Sequence, residues 1–147
     1  MKHLLLNTAA LTALALPAVA QQVADCDWQA SAQAIVEPCA QNTRTFANGD
    51  VRLALLDTIE PAAGAFHILV LSPPYDELGS RHCATIGMSN GIGLGGADLS
   101  TLEADYDPSV ELIFTMQVRV FDGVDFRPGK LRFTLNQATG RIGASLR

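Results

Sequence analysis

The run Val110–Phe121, VELIFTMQVRVF, constrains this chain more than any other stretch. Leu112, Phe114, Met116, Val118 and Val120 fall on one side of an extended backbone. Glu111, Thr115, Gln117 and Arg119 fall on the other, with Ile113 and Phe121 as apolar exceptions. Successive strand side chains alternate faces, so the pattern predicts a long, half-buried antiparallel strand with one wet face.

Its neighbours can be registered against it, because a slip of one residue would turn a whole apolar set outward. With Asp107-Pro108-Ser109 as the turn, Ala104 faces Leu112 and Asp105 faces Glu111. Across the loop holding Pro128-Gly129, Val120 faces Leu131 and Val118 faces Phe133. Gln137–Gly140 then returns the chain so that Leu135 meets Ile142 and Phe133 meets Ala144. The expectation is a four-stranded meander from about Asp98 to Arg147.

Upstream, Val51–Thr58 and Phe66–Ser72 are apolar on both faces, as central strands covered on each side are. They are joined by a hairpin through Ile59–Ala65, with Ser72–Arg81 as a polar break before a short strand at Cys83–Met88. Ser89–Gly96 is glycine-rich but lacks the following helix that a dinucleotide fingerprint requires. Asp27 suits an N-cap, and Trp28, Ala32, Ile35 and Val36 form a helical stripe ending before Pro38, with Trp28 read as core. The fold class expected is α+β or mainly β: one N-terminal helix packed on a curled antiparallel sheet, small barrel or sandwich of about seven strands.

Met1–Ala20 has the basic start, apolar run and small-x-small ending of a secretory signal. Its apolar part is too short to span a bilayer, which takes about 20 residues, so no membrane span is expected. Residues 21–147 then form a single β-rich domain, periplasmic or secreted. Three cysteines in an oxidising compartment allow one disulfide. A helix over 27–37 would separate Cys26 and Cys39 by roughly 20 Å, well beyond a disulfide's reach. Cys26 is polar and terminal while Cys39 sits among apolar residues, so the pairing expected is Cys26–Cys83 with Cys39 free and buried.

Without the signal, 10 − 1 = 9 basic residues face 15 acidic ones, a net charge of −6 that disfavours nucleic acid as a partner. The charge is uneven: Arg127, Lys130, Arg132, Arg141 and Arg147 follow Phe126 with no acid among them. The register above sets Arg119 opposite Arg132, with Lys130 beside Arg147. Four cations so placed point to an anionic ligand or an acidic protein surface. Tyr75, Arg81 and His82, around two prolines, add a candidate contact loop.

Glu103, Asp105, Asp107 and Glu111 gather at one hairpin end, where calcium would relieve their repulsion; no other cofactor is expected. A hairpin centred on Ala62 sets Asp57 opposite His67, half of a nucleophilic triad with no serine or cysteine to complete it. The reading is therefore a small exported, non-catalytic binding protein. The alternatives are a periplasmic hydrolase using Asp57/His67 or the 72–82 loop, and a structural envelope subunit.

Overall fold

A computed structural model describes residues 22–89 and 91–147; the expected signal segment lies outside the described residues. Ten strands follow in order: β1 (Gln22–Asp25), β2 (Thr43–Phe46), β3 (Val51–Asp57), β4 (Phe66–Tyr75), β5 (Arg81–Gly87), β6 (Gly96–Ala97), β7 (Glu103–Asp107), β8 (Glu111–Phe121), β9 (Phe126–Leu135) and β10 (Ile142–Leu146). A first antiparallel sheet has the order β1-β5-β4-β3-β2. A second runs β10-β9-β8, with β6 and β7 sharing the remaining edge of β8.

The two sheets bury one core between them. Leu53, Leu55, Ile68, Val70 and Ile86 from the first meet Phe114, Met116, Val118, Leu131, Phe133 and Leu135 from the second. The Phe114 ring stacks on Phe133 at 4.9 Å and meets the edge of Phe46 at 4.9 Å. Each such side chain contributes roughly 1.5–3 kcal/mol when fully buried. The strand over Glu111–Phe121 is therefore present, with its alternate residues inward as the pattern requires.

The far side of the first sheet is covered as well. Ala54, Leu56 and Leu69 pack under Ala30, Ala34 and Ile35 of the segment 26–42. Apolar residues on both faces of β3 and β4 did mark central strands, but the cover is not a helix. The expected α+β class with a helix over 27–37 is corrected: two single 3₁₀ turns, Trp28–Ala30 and Ala32–Ala34, stand there. Ser31 between them is extended, and its hydroxyl accepts the Gln33 N–H, which ends one turn and starts the next. Ile35 then bridges Leu56, and Val36 N–H donates to the Leu55 carbonyl, so the backbone is spent on the sheet edge. Among the described residues no helix reaches seven residues, and the sheets are not closed into a barrel.

Cys26 and Cys83 are disulfide-bonded with Cα atoms 5.4 Å apart, as expected. The reason differs from the helical-rise argument, since that helix is absent. Cys26 N–H donates to the Cys83 carbonyl at 3.1 Å, extending the β1–β5 ladder and setting the two side by side. A bond closing a loop this long contributes on the order of 2–5 kcal/mol. Cys39 is exposed rather than buried, and its thiol donates to Glu37 Oε1 at 3.4 Å. That bond holds the thiol pKa above its usual value.

Several registers differ from expectation. Ala104 pairs with Phe114, not Leu112, a shift of 114 − 112 = 2. Val118 pairs with Gly129, not Phe133, a shift of 133 − 129 = 4. Both are even, so each residue keeps its side of the sheet and the apolar pattern could not tell the registers apart, although Ala104 in β7 is exposed. The turn decides the second: Asp122 accepts N–H groups of Val124 and Asp125, closing the hairpin there and leaving Pro128 within β9. The β9–β10 register, Leu135 with Ile142 and Phe133 with Ala144, is as expected.

The β3–β4 shift is odd. Leu56 pairs with His67 and Asp57 with Phe66, so Asp57 and His67 lie on opposite faces and form no dyad. The polar break after β4 shrinks to Asp76–Ser80, because Asp76 accepts from the N–H groups of Leu78 and Ser80 and tightens the turn. The residues after Asp98 form a 3₁₀ turn, Leu99–Thr101, rather than a strand.

Candidate functional site

Among the described residues the outward face of the second sheet carries no covering segment, and its residues follow from the registers. One row across the strands reads Ser145, Arg132, Thr115, Glu103. The next holds Lys130 opposite Gln117, with Arg147 beside Lys130 through reciprocal backbone bonds of 2.7 and 3.0 Å. The third sets Pro128, Arg119 and Gly96 side by side, and Phe126 opposite Phe121 closes the end.

The expected contact of Arg119 with Arg132 is therefore corrected: Arg132 faces Thr115 and Arg119 faces Pro128. Lys130 beside Arg147 stands as expected, and the same β9–β10 register sets Arg132 beside Ser145. The four cations remain contiguous all the same. Lys130 and Arg132 are two residues apart on one strand, about 7 Å. Arg147 neighbours Lys130 at about 5.5 Å between Cα atoms. Arg119 lies diagonally from Lys130 at about 7–8 Å.

None of the four is in an ion pair among the described residues. Asp122 and Asp125 are engaged by Arg127. Asp107, held below the usual carboxylate range by Ser109 and more weakly by the Arg132 charge, forms no ion pair with the strip among the described residues. Asp122 Oδ2 accepts from Arg127 Nε at 2.8 Å, and Asp125 Oδ2 lies 3.7 Å from Arg127 Nη1. The Arg127 guanidinium, joined by the Asp125 and Val124 N–H groups, holds the Asp122 carboxyl far below the usual carboxylate range. Glu103 shares a row with Arg132, but Thr115 stands between them, about 10 Å across two strand spacings.

Arg119 is held differently from the others: its guanidinium lies 5.1 Å from the centre of the Phe126 ring. Phe126 in turn stacks with Phe121 at 5.3 Å. Gly95 lets the chain pass this ring, since a Cβ there would lie 2.5 Å from it. Beside Arg119 opens a hollow of about 320 Å³ lined by Phe66, residues 95–98 and Gln117. Asp98 stands on its rim; the Ser100 hydroxyl and N–H hold that carboxyl below its usual range, so the hollow carries a charge of each sign.

The remaining candidates lie apart. Tyr75 O–H donates to Asp50 Oδ1 at 2.9 Å and Arg81 donates to the Gly49 carbonyl at 3.1 Å, so both pin the turn before β3. His82 Nε2 lies 4.0 Å from Asp25. Of the four acids, Asp107 accepts from Ser109, Asp105 from the Tyr106 N–H and Glu111 from the Gln137 N–H. Asp105 faces Ile113 rather than Glu111, and among the described residues no group of three or more His, Cys, Asp or Glu side chains is placed to hold a metal.

His67 is buried on the covered face of the first sheet, where burial lowers its pKa and Nε2 has no hydrogen-bond partner. Gly93 is packed against it, a Cβ there falling 2.8 Å from Nε2. Trp28, read as core, is 59 % exposed. Among the described residues no helix is long and apolar enough to cross a membrane. No protein-family model matches the chain significantly, nor does any curated protein or solved structure.

Proposed function

We propose that this is an exported binding protein, periplasmic or secreted, whose outward second-sheet face takes a ligand bearing phosphate or carboxylate groups. The observation that carries this reading is the strip of Arg119, Lys130, Arg132 and Arg147, in no ion pair among the described residues while Asp122 and Asp125 serve Arg127. The disulfide is compatible with an oxidising, exported location. Two like charges about 7 Å apart in water repel by only about 0.6 kcal/mol, so the free protein tolerates the strip. An anion with several charged oxygens converts each repulsion into attraction, and arginine forks match carboxylate and phosphate geometry.

Retention on a phosphate or polyanion matrix across a salt series tests this. The wild-type protein is retained at low ionic strength despite its net acidity and elutes as the Debye length shrinks from about 10 Å at 0.1 M towards about 3 Å at 1 M. Arg119→Glu/Arg132→Glu flows through while melting within a few degrees of wild type. A wild type that flows through at the lowest salt, or a double variant retained equally, overturns the reading.

A further inference from the structure

A second surface, apart from the cationic strip, has the make-up of a ligand site. An open groove of about 340 Å³ lies between the covering segment and the β3–β4 turn, lined by Trp28, Ser31, Gln33, Asp57, Thr58 and Ile59. Its size falls at the low end of small-molecule sites, roughly 300–1,000 Å³. Ala30, Ala34 and Ile35 of the same segment pack onto the sheet, whereas Trp28, at the groove wall, stays 59 % exposed. Ile59 is 76 % exposed and holds a φ of +69°, a conformation a β-branched residue rarely adopts. The turn is fixed there from two sides: Ile59 N–H donates to Asp57 Oδ1 at 2.7 Å, and Thr58 Oγ1 donates to the Glu60 carbonyl at 2.9 Å. Strained residues so fixed cluster at ligand clamps.

We infer that this groove binds a neutral saccharide of one or two rings. An exposed indole offers a flat apolar face to the C–H face of a sugar ring, and the groove's edge offers partners for hydroxyls. Asp57 Oδ1 is taken by the turn, which leaves Oδ2 to accept. Ser31 Oγ accepts the Gln33 N–H at 3.2 Å and keeps its own hydrogen to donate. The Gln33 amide both donates and accepts. The lining holds a carboxylate and no cation, so an anionic ligand is disfavoured where a neutral polyol is not.

The chain has a single tryptophan, so its fluorescence reads this groove alone. Titration with maltose, cellobiose and the N-acetylglucosamine disaccharide should give a saturable blue shift with at least one of them, with Kd on the order of 0.1–1 mM. Calorimetry with that sugar should show no heat of binding for Trp28→Ala and affinity at least threefold weaker for Gln33→Ala, whose melting temperature stays that of wild type. No saturable change with any of the three up to about 20 mM overturns the inference, as does Trp28→Ala binding like wild type. A shift produced by hexanol and by none of the sugars would mark a groove for an apolar side chain and overturn it equally.

Discussion

The two sheets are built from the same kind of strand, yet one is sealed on both faces and the other on only one. Outward positions of β3 and β4 carry Ala54, Leu56 and Leu69, and a disulfide-anchored segment lies over them. The corresponding positions of β8 and β9 carry Thr115, Gln117, Arg119, Lys130 and Arg132, and among the described residues no segment lies over them. Burial of the first set is a folding contribution; exposure of the second adds nothing to stability and leaves cations free to meet a ligand.

Substitution should separate the two faces sharply. Leu56→Ala, fully buried on the covered face, is expected to cost about 2–5 kcal/mol through lost transfer energy and a residual cavity. Gln117→Ala, at an exposed position of the bare face, should stay within about 0.5 kcal/mol. Guanidinium unfolding of both variants measures this, and equal losses would break the contrast.

A smaller effect concerns pH. His67 lies under the cover with no titratable group among Gln22, Gln29 and Thr85 around it, and burial depresses its pKa below the ordinary 6.5. The unfolded chain then takes up the proton first, so stability is full above about pH 6.5 and declines as pH falls below it, until the folded form also protonates. Melting temperature followed from pH 7.5 to about 5.5 should fall in the wild type and less steeply in His67→Gln. An unchanged slope in His67→Gln would remove the histidine from the account.

The contrast between the faces was legible in the sequence to an unequal degree. Alternation in Leu112–Val120 and the doubly apolar runs of β3 and β4 correctly marked which strands have a wet face. Cys26 with Cys83 was also legible, although the ladder rather than a helix sets it. The cover was not: Trp28, Ala32, Ile35 and Val36 have helical spacing, but Ser31 caps its neighbour and Ile35 pairs with the sheet, so tertiary contacts override the pattern. Registers slipped by two and four residues because period-two patterns are blind to even shifts, and side-chain caps such as Asp122 decided them. The cationic strip survived that error because an even shift keeps arginines on their face. The Asp57–His67 pairing did not, because that shift was odd.

The most direct test of the bare face as an anion site is chemical-shift mapping with tripolyphosphate titrated into ¹⁵N-labelled protein at low ionic strength. Saturable shifts are expected at Arg119, Lys130, Arg132 and Arg147 and their row neighbours Thr115 and Gln117, with Leu56, Leu69 and Thr85 on the covered face unmoved. No shifts on the second sheet, or the largest ones at Arg44, Arg52 or Arg141, would contradict it.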